Sequence, residues 1–105
     1  MRIRLADIEF IPNYQSSVYD GKAFKFGAGV QMFAAYASVN VAVVTVVGED
    51  CDTVGLVGES SQGGGHGPLT SLFGVGTDQV LVWEVVTAAT GEHLTADPDN
   101  NKDLY

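Results

Sequence analysis

The sequence predicts an α+β fold with a mostly antiparallel sheet and one or two helices packed on it. Two patterns carry this reading. Residues Gln79–Thr87 form the strongest strand signal, rich in β-branched residues around Trp83, and Ala88-Ala89-Thr90-Gly91 turns it back into a second strand over Glu92–Thr95. Val30, Phe33, Ala34, Ala37 and Val41 fall at helical spacing and make one apolar helix face. With 105 residues the chain is one small domain, able to bury roughly 60–70% of its unfolded surface.

The remaining elements follow in order. Ile3, Leu5, Ile8 and Phe10 fit neither period cleanly, but Ile8–Ile11 suggests a short strand that Pro12 should end, because proline cannot donate to a ladder. Asn13–Gly21 reads as polar loop with Asp20-Gly21 as a turn. Ala23, Lys25 and Gly27 alternate with Phe24 and Phe26, the pattern of a half-buried strand. Val41–Val47 is dense in β-branched residues and predicts a buried strand. Leu69–Phe73 predicts one helical turn, and Pro98-Asp99 precedes a helix beginning near Asn100. No internal repeat or linker interrupts the chain.

Composition narrows the function classes. Thirteen acidic against five basic residues give a formal net charge of -8. That balance argues against nucleic acid, whose phosphates demand a basic face, and against an anionic membrane surface. No apolar run approaches the about 20 residues needed to span a bilayer. Met1–Asp7 reaches an acidic residue before any apolar stretch and does not read as a signal peptide. The single cysteine rules out an intrachain disulfide. Cys51, His66 and His93 have no recognisable zinc spacing, so no metal site is expected. No P-loop and no Gly-x-Gly-x-x-Gly is present, and no carboxylate pair is placed for acid–base work.

The densest signal is Cys51–Gly67, Cys-Asp-Thr-Val-Gly-Leu-Val-Gly-Glu-Ser-Ser-Gln-Gly-Gly-Gly-His-Gly. It concentrates six of the thirteen glycines beside the only cysteine. Glycine costs backbone entropy on folding, so such density serves left-handed conformations or a close backbone approach. Successive N–H groups of a loop of this kind can cradle an anion. The same composition also suits a flexible surface loop.

Cys-x-Thr-Val-Gly followed by Gly-Gly-Gly-x-Gly resembles the flavin-binding loop of the berberine-bridge-enzyme-like FAD-linked oxidoreductases, in the vanillyl-alcohol-oxidase superfamily. Ala28-Gly29-Val30-Gln31, Thr45-Val46-Val47-Gly48, Asp78-Gln79-Val80-Leu81, Val85-Val86-Thr87-Ala88 and Asn101–Tyr105 stand in the family's order, so the resemblance covers nearly the whole chain. It implies that residues 1–105 are a fragment of a p-cresol methylhydroxylase-type FAD-binding domain, its second subdomain. The first FAD subdomain and the substrate domain have no counterpart here. It implies FAD as cofactor, with Cys51 at the position that forms a thioether to C6 of the flavin ring. Thr53, Val54, Gly55, Gly58, Gly63, Gly64, Gly65, His66 and Gly67 are the further cofactor-binding positions by this resemblance. The chain departs from the family pattern at Glu59-Ser60, where a second glycine and then an aromatic or histidine are usual. A carboxylate there opposes a diphosphate, and a left-handed backbone there would be strained with Glu. The reaction implied for full-length relatives is oxidation of an alcohol or similar small organic substrate by hydride transfer to flavin. No catalytic residue is assigned. The alternatives are a non-catalytic module that binds little or no flavin and acts by protein association, and an unrelated acidic α+β protein.

Overall fold

The computed structural model describes residues 5–105; the reading of Ile3 and the first four residues of the Met1–Asp7 run lie outside them. Among the described residues the strands form two separate antiparallel hairpins, which agrees with the predicted α+β class. β1 (Ile8–Gln15) pairs with β2 (Asp20–Phe26), and β3 (Trp83–Val86) pairs with β4 (His93–Ala96). Between the hairpins lie helix α1 (Met32–Val41), a π-helical turn (Leu56–Ser60), the short α2 (Thr70–Phe73) and a 3-10 turn (Gly76–Gln79).

Pro12 does not end β1. The register shifts between Ile11 and Tyr14, a bulge that carries the strand past the missing donor, as edge strands allow. The turn falls at Ser16–Tyr19 rather than at Asp20-Gly21, because the Ser16 hydroxyl accepts from the Tyr19 N–H at 3.1 Å and the Ser16 N–H donates to the Tyr19 carbonyl. Gly21, expected in the turn, opens β2 at φ 152° under the Tyr19 ring.

α1 forms where expected but turns another face inward. Met32, Ala35 and Val39 are buried, while Phe33 is 53% and Val41 84% exposed. Apolar residues lie on both sides of this helix, so spacing alone does not choose the inner face. The core takes Met32 and Ala35 with Val30 and Leu56, and Ile8, Phe26, Ala34 and Tyr36 pack against them. An unbranched methionine and a small alanine fill the space beneath the first hairpin.

The predicted strand over Val41–Val47 is not formed. After α1 the backbone is irregular, with Val43 in the left-handed region at φ 55°. β-propensity is largely fit to neighbouring strands, and no ladder partner lies beside this run among the described residues. The strand predicted over Gln79–Thr87 shrinks to Trp83–Val86, because Gly76–Gln79 winds into the 3-10 turn. The helix expected near Asn100 is replaced by turns. There the Asp97 carboxylate accepts from the N–H groups of Asp99 and Asn100, which holds its pKa below the ordinary value, with the Asn100 side chain the largest cause. A Lys25–Glu84 ion pair ties the two hairpins, and a Ser17–Asp99 hydrogen bond ties the turn of the first hairpin to the turns after β4.

Candidate functional site

Cys51–Gly67 divides into an outer half that faces open space and an inner half locked against the chain. The outer half begins with a β-turn, in which the Val54 N–H donates to the Cys51 carbonyl at 3.3 Å. Cys51 is exposed, and its Sγ lies 3.8 Å from the Thr53 hydroxyl.

What fixes this turn is the start of α1. The first N–H groups of a helix lack partners inside the helix. Here the Met32 N–H donates to the Val54 carbonyl and the Phe33 N–H to the Asp52 carbonyl, both at 2.9 Å. The Gln31 side-chain amide adds a bond to the Thr53 carbonyl at 2.8 Å, and Gln31 bridges Gly55 antiparallel. The Leu56 N–H completes the seam on the Val30 carbonyl. The helix start is therefore spent on holding the Cys51 turn. Gln31 was legible only as part of a family-ordered run; no local pattern marks its side chain as the clamp.

Past Gly55 the chain winds once through the π-helical turn. The Glu59 and Ser60 N–H groups both donate to the Gly55 carbonyl. Glu59 has a negative φ here, so the strain expected of Glu in a left-handed conformation does not arise. Its carboxylate lies 3.4 Å from the Gly55 N–H, which it accepts. A Cβ placed on Gly58 would meet no atom within 4 Å. Gly58 lies on the wall of an open groove of about 430 Å³, together with Ala28, Val57, Gln62, Trp83 and Val85.

The inner half is different. Gly65 has φ 74°, and a Cβ on it would lie 2.8 Å from the Gly76 Cα. A Cβ on Gly67 would lie 1.7 Å from the Gly48 carbonyl oxygen, and one on Gly76 2.9 Å from the Val47 carbonyl oxygen. Gly48 in turn sits under the Tyr36 hydroxyl and the Met32 sulfur. Gly65, Gly67 and Gly76 thus let backbone pack directly on backbone, while Gly48 leaves room for the Tyr36 and Met32 side chains. The Gly76 N–H donates to the Gly65 carbonyl at 2.8 Å, and the Thr77 hydroxyl donates to the carbonyls of Ser61 and Gly64. The Gly67 N–H donates to the Thr70 hydroxyl. Gly63 and Gly64 form the bend between the halves, Gly63 through a bond to the Glu59 carbonyl. His66 is exposed at the edge of this stack. Of the predicted positions, Cys51, Thr53, Val54, Gly55 and Gly58 line the outer half, while Gly65 and Gly67 serve the packing of the chain. Gly76 and Thr77, which complete the stack, carry no motif in the sequence, and Gly48 was legible only as the end of the family-ordered run Thr45–Gly48.

The charge around the loop is negative. Glu49, Asp50, Asp52 and Glu59 all lie in or beside it. Tyr36, whose hydroxyl donates to the Glu49 carbonyl at 2.7 Å, has its pKa raised, first by burial and then by the carboxylates of Asp50, Asp52 and Glu49. Among the described residues no group of three or more His, Cys, Asp or Glu could hold a metal ion, and no helix is long and apolar enough to cross a membrane.

No protein-family model matches the chain. It is 52% identical over 101 residues to the VAO-type flavoprotein oxidase VAO615 of Thermothelomyces thermophilus, a match covering 96% of this chain and 17% of that protein. It is also 52% identical over 101 residues to the FAD-linked oxidoreductase patO of Aspergillus clavatus, with the same coverage. Among solved structures, the VAO-type flavoprotein MtVAO615 of Myceliophthora thermophila C1 superimposes with a TM-score of 0.94 at 51% identity, over 98% of this chain and 19% of that one. MtVAO713 of the same organism gives 0.85 at 33% identity, over 93% and 18%. The chain thus spans less than a fifth of the length of these relatives. By sequence and by fold, the chain matches one segment of VAO-type and FAD-linked flavoproteins.

Proposed function

We propose that this chain forms part of the FAD-binding domain of a flavin-dependent oxidoreductase, its second FAD subdomain, with the outer half of Cys51–Gly67 facing the flavin. The observation that carries the proposal is the exposed Cys51, held on a turn whose carbonyls are pinned to the start of α1. The identity to FAD-linked oxidoreductases supports it. When bound, FAD supplies the hydride acceptor for oxidation of a small organic substrate such as an alcohol. The chain's part is position and contact. Cys51 would present its thiol to the ring, Thr53 a hydroxyl beside it, and Gly58 a surface with no Cβ in the way. The carboxylates of Glu49, Asp50, Asp52 and Glu59 suit the uncharged ring better than the diphosphate, because like charges repel. Catalytic groups and the remaining cofactor contacts are assigned to other parts of such an oxidoreductase.

The test is flavin titration of the 105-residue chain, with intact mass and visible absorption as readouts. Weak FAD binding without substrate turnover is expected. Cys51→Ala should lose any covalent adduct while keeping its far-ultraviolet circular dichroism. An adduct that persists in Cys51→Ala would refute the attachment position. A chain that takes up no flavin at all points instead to non-catalytic protein association, a reading that the exposed Phe33 and Val41 favour.

A further inference from the structure

Glu59 is folded back on the residue that starts its own turn. Its N–H donates to the Gly55 carbonyl at 3.2 Å, and its carboxylate accepts from the Gly55 N–H at 3.4 Å. The Ser60 N–H shares the same carbonyl at 2.9 Å, so both backbone polar groups of Gly55 are engaged within the turn. The Glu59 side chain is exposed. Among the described residues no cation lies within ion-pair distance of it, and the ion pairs found there join Glu84 to Lys25 and His93 instead. The outer half of the loop therefore carries one uncompensated charge.

The adjoining groove of about 430 Å³ is different in character. The loop supplies Val57, Gly58 and Gln62 to it, and β3 supplies Trp83 and Val85. Its one charged residue, Glu84, is paired with Lys25. Glu59 lies between Gly58 and Gln62 in the chain but does not line the groove, because its carboxylate turns back to Gly55. The other carboxylates gather elsewhere. Burial first raises the Tyr36 pKa, and Asp50, Asp52 and Glu49 raise it further, which puts those three on the α1 side of the loop. Glu59 alone stands next to the open side of Gly58, a charge beside an uncharged groove.

We propose that Glu59 is the specificity and orienting residue of the outer half, which admits the uncharged ring of a flavin to the groove and turns the phosphate end of the molecule away. The proposal rests on the flavin reading and deepens it. A neutral ring meets no opposing charge in the groove. A phosphate meets a like charge at Glu59 and finds the Gly55 N–H already taken by the Glu59 carboxylate. The turn thus sets which end of the flavin faces it, and phosphate contacts fall to other residues.

The test is titration of the 105-residue chain with riboflavin, FMN and FAD, followed by flavin fluorescence at low and high salt. Glu59→Gln and Glu92→Gln are measured beside the wild type. Glu59→Gln keeps an oxygen for the Gly55 N–H, so it removes the charge and retains the turn, which circular dichroism checks. Glu92→Gln removes one negative charge at an exposed residue of the second hairpin. The expected result is a wild-type preference for riboflavin over FMN that Glu59→Gln narrows about fivefold at low salt. Riboflavin affinity stays the same, Glu92→Gln changes nothing, and high salt narrows the wild-type preference by itself. An equal gain of FMN affinity in Glu92→Gln overturns the proposal and makes net charge the cause. A riboflavin shift as large as the FMN shift also overturns it and makes Glu59 structural. Riboflavin binding with an unaltered preference ends the proposal and leaves the flavin reading standing. Failure of all three flavins to bind either the wild type or Glu59→Gln ends both.

Discussion

Gly58 and Gly67 belong to the same glycine-rich loop and answer to opposite demands. Gly67 is pressed so closely on the Gly48 carbonyl that no side chain fits, whereas Gly58 opens onto a groove with nothing within 4 Å. One glycine is required by the chain itself, and the other is free to be required by something outside it. A dense glycine run is therefore not one feature. Its inner half builds a backbone-on-backbone stack, and its outer half offers a surface, so only the outer half supports a ligand-facing role.

Substitution separates the two halves. Gly67→Ala places a methyl group where backbone already lies, and should cost about 3 kcal/mol or more, enough to prevent folding of a marginal small domain. Thermal or urea unfolding of the variant checks this, and a stable Gly67→Ala chain would dissolve the stack. Gly65→Ala combines a left-handed φ with a close approach to the Gly76 backbone, and should cost about 2 kcal/mol by the same measurement. Gly58→Ala should be neutral or stabilise by about 0.5 kcal/mol, since alanine restricts the unfolded chain and meets no neighbour. If Gly58→Ala keeps the fold but lowers flavin affinity, the outer half is the ligand surface; unchanged affinity removes Gly58 from it.

The smallest effect lies away from the loop, where an exposed ion pair rather than backbone packing joins the hairpins. The Glu84 pKa is lowered, mainly by its bond to Lys25, with His93 a lesser contributor at 3.7 Å. The Lys25 pKa is raised, mainly by the same bond. A lowered carboxylate pKa stabilises above its unfolded value near 4.5 and loses that contribution as pH falls through the folded value. A raised lysine pKa contributes fully below its unfolded value near 10.5 and loses that contribution as pH rises through the folded value. Thermal midpoints should therefore fall slightly more in acid for the wild type than for Glu84→Gln. Exposed pairs contribute little, so the contrast with Gly67→Ala should be large.

Much of this was legible in the sequence, for identifiable reasons. Turn chemistry and β-branched runs locate the second hairpin, and helical spacing locates α1. The inner face of α1 was not legible, because Phe33, Ala37 and Val41 are as apolar as Met32, Ala35 and Val39. The Val41–Val47 run has strand chemistry but no partner strand beside it among the described residues. Pro12 was read as a stop because a bulge cannot be seen without the register of its partner. At the candidate site, Cys51 and the glycines stand out by composition. Gln31 and the Met32 and Phe33 N–H groups that hold the turn do so through ordinary backbone and amide bonds, which leave no motif.

The most direct test of the loop's role is the alkylation rate of Cys51 by a thiol reagent, with and without FAD. The account predicts rapid reaction of the exposed thiol in the free chain and marked slowing by FAD, with Gly58→Ala reducing that protection. An alkylation rate unaffected by saturating FAD would contradict it, and would leave the glycine run with a role in packing alone.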